Sequence, residues 1–253
     1  MFEVHILASG SDGNCTIIQF EDEAIMIDAG ISCRKTRELM EKEGVDQKAL
    51  KALLITHEHS DHVAGAGAVS RKLDIPVFCN RATFDSSGLG NVDYSEIRTM
   101  GSFCIGNMTI IPLPTSHNAV DPNAFFIEAE GGKVLVATDT GKITFQVEHA
   151  LKQADVAVIE SNYDKKMLAE GPYPPYLKKL IASDMGHLAN VDCAGAIKRT
   201  MNDKRKVFLA HLSKTNNAPD IARETVAELT GIKRLNIDCL EFPGDTRTIR
   251  VRD

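Results

Sequence analysis

The stretch Ile55-Thr56-His57-Glu58-His59-Ser60-Asp61-His62 follows an apolar run and sets three imidazoles and two carboxylates within six residues. These groups can act together only if the preceding segment is a strand that delivers them to one rim of a sheet. Residues 57 and 59, two apart in extended backbone, project to the same side. A tight turn at Ser60 can bring Asp61 and His62 round to a second position nearby, an arrangement that suits two adjacent metal ions. The pattern is not the H-E-x-x-H helix signature of zinc proteases, because the fourth residue after His57 is Asp61. In a chain of this composition, H-x-H-x-D-H arises by accident in roughly one sequence in two thousand. The metal reading therefore outweighs that of polar residues scattered at a strand end.

Four ligands at one strand end would leave each ion short of a full shell. Three isolated candidates stand at the ends of later strand-like runs: His117 in P-T-S-H, Asp139 in A-T-D-T, and His211 after an apolar segment. Taken singly, each is more often a surface polar residue. Cysteines at 15, 33, 79, 104, 193 and 239 show no C-x-x-C spacing, so His and Asp must supply the ligands. Imidazole and carboxylate without thiolate suit Zn²⁺ or Mn²⁺.

The 253 residues, 43% apolar and 25% charged, fit one globular domain over 1–253, with no internal repeat and no low-complexity linker. A net charge of -6 gives no global attraction to polyanions, which excludes a simple DNA-coating protein. Nucleic acid would need a local basic patch, for which Lys178-Lys179, Lys204-Arg205-Lys206, Arg247, Arg250 and Arg252 are the candidates. No run is long and apolar enough for a membrane span and the N-terminus lacks a signal-peptide pattern, so a cytoplasmic protein without membrane contact is expected.

Strand-like runs at residues 3–8, 16–20, 24–28, 51–56, 108–113, 124–130, 133–139, 155–161 and 206–211 alternate with helical patterns. The helices fall at a segment capped by Ser32 and ending at Gly44, then at 62–73, 144–153, 175–183, 190–201 and 219–229. Gly106-Asn107 and Gly131-Gly132 read as hairpin turns, and residues 163–175 as an irregular loop or lid. The class is mixed α/β.

These motifs resemble the metallo-β-lactamase superfamily: H-x-H-x-D-H at 57–62, preceded by Met26-Ile27-Asp28-Ala29-Gly30 and followed by a lone His117, Asp139 in T-D-T and a late His211. The resemblance spans nearly the whole chain and implies an αββα sandwich, with two mixed sheets face to face, helices outside and two divalent ions at one edge. By that resemblance His57, His59 and His117 hold the first ion, Asp61, His62 and His211 the second, and Asp139 bridges them. Two such ions about 3.5 to 4 Å apart share a hydroxide and stabilise both attacking and leaving oxygens, so hydrolysis is the expected chemistry. Asp28 is expected to orient a ligand histidine from behind. Redox members carry glutamate where this chain has His59, which disfavours a redox role, and Glu58 points to the other side of the segment.

Three further segments narrow the choice. Ser9-Gly10-Ser11-Asp12-Gly13-Asn14-Cys15 can bring backbone N–H groups close to an anion, with Ser11 and Asn14 as candidate substrate contacts. Ser161-Asn162-Tyr163-Asp164 offers Asn162. Gly186-His187-Leu188-Ala189-Asn190 offers His187, to bind a phosphate oxygen or protonate a leaving alkoxide. Together with His211-Leu212-Ser213 these segments resemble the YycJ (WalJ) group, described as metal-dependent nucleases that include a 5′ to 3′ exonuclease on double-stranded DNA. That group has serine where this chain has Ala189, which puts any substrate contact of that hydroxyl in doubt. The longer nucleases of the superfamily carry an inserted domain that this chain is too short to hold.

The expectation is a dinuclear hydrolase of the nuclease type with DNA favoured as substrate, Asp61 and His187 being catalytic. The alternative is a small-molecule hydrolase acting on a thioester, lactone or cyclic phosphodiester. A non-catalytic module is disfavoured by the complete ligand set. Oligomeric state, native metal and polarity stay open.

Overall fold

The computed structural model describes residues 1–251; Arg252 lies outside the described residues. Its strands are β1 (Phe2–Ala8), β2 (Cys15–Phe20), β3 (Glu23–Ile27), β4 (Leu50–Leu54), β5 (Val77–Cys79), β6 (Tyr94–Glu96), β7 (Phe103–Ile105), β8 (Met108–Pro114), β9 (Asn123–Ala129), β10 (Gly132–Ala137), β11 (Val156–Glu160), β12 (Lys206–Ala210), β13 (Ile237–Asp238) and β14 (Arg247–Arg250). They form two seven-stranded sheets, ordered β14-β1-β2-β3-β4-β5-β6 and β13-β12-β11-β10-β9-β8-β7. Each sheet is antiparallel at one end and parallel at the other, with β3 to β6 parallel in the first and β10 to β13 in the second.

The period of two in each strand builds three apolar layers. Val4, Ile6, Ile18, Ile25 and Ile27 of the first sheet meet Val134, Val136, Val158 and Phe208 of the second between the sheets. The alternate residues face outward under helices. Ile17, Met26 and Leu53 pack against α1 (Cys33–Lys42) and, beyond the one-turn α2 (Ser60–Val63), α3 (Ala66–Leu73). Leu135, Ala157 and Ile159 pack under α5 (Phe145–Gln153), α8 (Asn190–Arg199) and α9 (Pro219–Thr230), while α4 (Arg81–Ser87), α6 (Lys165–Glu170) and α7 (Pro175–Ile181) lie in the connections. The αββα sandwich implied by the sequence motifs is the architecture of the chain.

Several boundaries differ from the sequence reading. The helix expected over 62–73 is broken into α2 and α3 at Gly65, whose N–H donates to the Ala29 carbonyl at 2.8 Å. A Cβ there would overlap the Ile31 carbonyl, so only glycine lets the chain approach this closely. The loop expected over 163–175 contains α6, because Asp164 accepts from the N–H groups of Lys166 and Met167 and caps a helical turn. The second hairpin turns at Glu130-Gly131, one residue earlier than expected, since Gly132 already pairs with Ala129. Among the described residues, no helix is long and apolar enough to cross a membrane.

Candidate metal centre

In open sheets of parallel strands, side chains gather beyond the carboxyl ends. Here that rim collects Asp28 after β3, His57 to His62 after β4, Asp139 after β10, Glu160 at the end of β11 and His211 after β12. β8 runs in the same direction as β10, both being antiparallel to β9, so His117 arrives at the same rim. Asp28, Asp139 and His211 all take left-handed backbone conformations, with φ of 59°, 53° and 55°. Non-glycine residues hold that conformation at a cost of order 1–3 kcal/mol each, and such strain concentrates at functional sites.

The ligand atoms fall into three groups, each within 4.8 Å: His57, His59 and His117; Asp61, His62, Asp139 and His211; and Asp139, Glu160, His187 and His211. His59 is the N-terminal cap of α2, and this single helical turn carries Asp61 and His62 round to the second group. His59 Nδ1 lies 3.3 Å from His117 Nε2, and Asp61 Oδ2 lies 3.3 Å from His211 Nε2. Asp139 stands between the groups, Oδ2 being 3.0 Å from His62 Nε2 and Oδ1 3.8 Å from His117 Nε2.

The far nitrogens of His57, His62 and His117 are tied to the protein, and these ties set the orientation of the rings. His62 Nδ1–H donates to Asp28 Oδ2 at 2.7 Å. The Thr56 hydroxyl donates to the same carboxylate at 2.8 Å, which leaves its oxygen to accept from His57 Nδ1 at 3.0 Å. Asp28 thus orients His62 directly and His57 through Thr56. His117 Nδ1–H donates to the Gly186 carbonyl at 2.8 Å. The opposite nitrogen, His57 Nε2, is buried without any hydrogen-bond partner. An orphaned acceptor in a ring of imidazoles and carboxylates is the donor chemistry a divalent cation satisfies. The residues fit a metal.

Electrostatics separate the two sides. Burial holds His57 and His117 below the ordinary imidazole range, so they are neutral and their lone pairs free. Burial also opposes charge on His62 and His211, but the surrounding carboxylates, Asp139 foremost, outweigh it; His211 is pushed up to about 10. Burial works likewise against the Asp61 carboxylate, yet hydrogen bonds from His211 and His62 hold it well below the usual carboxylate range.

His187 lines the same cavity, of about 230 Å³, with its side chain 23% exposed. Its Nδ1 lies 2.7 Å from Oε1 of Glu160, a fully buried carboxylate that also meets His211 Nδ1 at 3.0 Å and accepts from the N–H groups of Thr140 and Leu188. Glu160 and Thr56 escaped the sequence reading. Glu160 shares the parity of Val156 and Val158, so it faces the space between the sheets. A lone carboxylate on an inward strand position was the available signal.

Of the expected substrate contacts, Ser11 and His187 line the cavity. Asn14 and Asn162 are not among its lining residues. Asn14 is 4% exposed, with Nδ2 3.0 Å from His62 Nε2 and Oδ1 accepting from Gly10 N. Asn162, also 4% exposed, donates to the His211 carbonyl at 2.7 Å. Both brace ligand segments. Glu58 turns away as expected, accepting from Val120 N.

The basic candidates disperse. Lys204, Arg205 and Lys206 lie at the start of β12, the opposite end from His211, and Arg205 is buried on the carbonyls of Ala154 and Thr200. Arg247 pairs with Asp238 and Asp245, and Arg250 with Glu3. Only Lys178 and Lys179, on α7, belong to the element whose Leu177, Leu180 and Ile181 wall the cavity.

An αββα sandwich with a His- and Asp-lined rim able to hold divalent metal defines a metal-binding class. Residues 23–212 match the beta-lactamase superfamily domain, and the chain belongs to that superfamily. It is 34% identical over 230 residues to exodeoxyribonuclease YycJ of Bacillus anthracis, covering 88% of this chain and 87% of the relative. It is 36% identical over 233 residues to exodeoxyribonuclease WalJ of Streptococcus pneumoniae, covering 89% and 87%. The metallo-beta-lactamase fold protein YhfI from Bacillus subtilis superposes with a TM-score of 0.77 over 98% of this chain and 99% of the other; at 17% identity this is a likeness of fold.

Proposed function

We propose that the chain, acting as one cytosolic domain, is a metal-dependent exonuclease-type phosphodiesterase with DNA as its favoured substrate. Two ions, Zn²⁺ or Mn²⁺, are held by His57, His59 and His117 on one side and Asp61, His62 and His211 on the other, with Asp139 between them. When bound, such ions neutralise charge on the phosphoryl oxygens and generate a nucleophile from water at neutral pH. The observation that carries the reading is the gathering of these seven side chains into adjoining ligand groups, with His59, Asp61, His117, Asp139 and His211 lining one cavity beside His187.

The remaining chemistry belongs to the chain. Asp28 and Thr56 hold Nδ1 of His62 and of His57, which leaves Nε2 of each ring to a metal. Asp61 holds its charge beside His211 and His62 and so keeps the cleft's carboxylate side ionised. Burial opposes charge on His187, but Glu160 outweighs it and raises its pKa above the ordinary imidazole value. The raised pKa enlarges the share of imidazolium available at the cavity to protonate the leaving oxygen. Ser11 lies across the cleft to contact the phosphate. The apolar wall of Leu177, Leu180, Ile181 and Met185 suits sugar and base, with Lys178 and Lys179 close to the strand's path. The exodeoxyribonuclease relatives, matched over 87% of their length, support the substrate.

The test is digestion of end-labelled single- and double-stranded DNA and RNA by chelator-stripped protein, with and without added Mn²⁺ or Zn²⁺. Metal-restored shortening of DNA from its ends is expected. Intact DNA alongside turnover of thioesters or lactones would replace this reading with a small-molecule hydrolase.

A further inference from the structure

A second cavity, of about 370 Å³, lies directly behind the wall of the metal cleft. The wall is one backbone thick. In the loop after β1, Ser11 lines the metal cleft while Gly10, Asp12 and Gly13 line the other side; after β12, His211 lines the cleft while Leu212, Ser213 and Lys214 line the other. Glycine keeps the loop thin, since Gly10 and Gly13 have φ of 129° and 147° and a Cβ on Gly13 would press into Ile31. The floor is apolar, formed by Leu7, Ile31, Leu39, Leu212 and Leu240, and Phe242 stands at the mouth, 64% exposed. Asp12 pairs with Lys214 and Glu241 with Arg223, whereas Lys35 on the rim has no ion-pair partner among the described residues.

We propose that this cavity binds a nucleobase adjoining the phosphate held in the metal cleft; the inference rests on the nuclease reading and names its second subsite. A phosphodiester in the cleft is flanked by a planar base whose faces are apolar. Besides the apolar wall of α7 in the cleft itself, an apolar cavity lies across one loop, and its volume falls in the range of ligand pockets. Phe242 offers an aromatic face on which a base stacks, a contact tolerant of sequence. Lys35 is placed at the rim for the next phosphate.

The probe is 2-aminopurine-2′-deoxyriboside, which lacks phosphate and so does not report metal binding, titrated into the full chain, which contains no tryptophan. Saturable quenching is expected, displaced by deoxyadenosine and not by deoxyribose. Phe242→Ala should weaken it roughly 5- to 150-fold and raise the KM for an oligonucleotide, and Phe242→Tyr should restore both. Equal affinity of Phe242→Ala and wild type, or displacement by deoxyribose, overturns the pocket. If wild type digests DNA in that case, the nuclease reading stands. Base binding through Phe242 in a protein that leaves DNA intact supports the pocket and overturns the nuclease reading.

Discussion

Glu160 and His187 are joined Oε1 to Nδ1 at 2.7 Å, the carboxylate sealed between the sheets and the imidazole at the edge of the metal cleft. The pairing fixes a proton on Nδ1 and turns Nε2 outward. His187→Ala should retain metal and lower turnover by about 10²- to 10⁴-fold, the contribution of a general acid. Glu160→Gln should move the alkaline limb of the kcat profile to lower pH, since the carboxylate is what raises the His187 pKa. Metal content by elemental analysis with pH–rate profiles checks both. Loss of metal in His187→Ala would make His187 a ligand, as the third ligand group allows.

Asp28 accepts from His62 and from Thr56, and through Thr56 orients His57. Asp28→Asn should weaken metal affinity by about 10- to 100-fold, the usual effect of removing a ligand's support. Competition with a chelating dye measures it. Unchanged affinity would show that packing alone holds the rings.

Metal uptake should depend on pH. In the metal-free fold, carboxylates raise His211 to about 10 and also raise His62, so at neutral pH an incoming cation displaces protons. Apparent affinity should rise as pH increases from the ordinary value of 6.5 toward about 10, with proton release visible by calorimetry in buffers of different ionisation enthalpy. The same raised pKa stabilises the metal-free fold. That contribution is fully present below the ordinary value of 6.5 and lost as pH rises through about 10, so the Tm of stripped protein should fall over that window. An uptake independent of pH would contradict the assignment of those ligands.

Ala189 is the N-terminal cap of α8 and makes no side-chain cap bond. The serine of the YycJ group at this position is therefore suited to cap the helix, not to touch substrate. Ala189→Ser should stabilise the fold by about 0.5–2 kcal/mol, or roughly 1–8 °C in Tm, with turnover unchanged. A rate change without a Tm change would return the hydroxyl to the substrate.

The long strands and most of the longer helices were legible because their apolar periodicity and end signals are local, whereas the short α4 and α6 were not. β5, β6 and β7 span three residues each, too short for a period to register. The break at Gly65 depends on a carbonyl more than thirty residues away in sequence, at Ile31, and residue spacing does not carry that. H-x-H-x-D-H declared itself because its ligands are adjacent, whereas His117, Asp139 and His211 were candidates only as polar residues at strand ends, and their ligand roles came from the family resemblance. Asn14 and Asn162 were harder to place, since a polar residue at a strand end can serve the cleft or the backbone around it, and the choice is made by the packing of distant segments.

The most direct measurement is anomalous scattering from crystals grown with Zn²⁺ or Mn²⁺. Two peaks about 3.5–4 Å apart are expected, one among His57, His59 and His117 and the other among Asp61, His62 and His211, with Asp139 between them. A single peak, or peaks away from these side chains, would contradict the dinuclear centre.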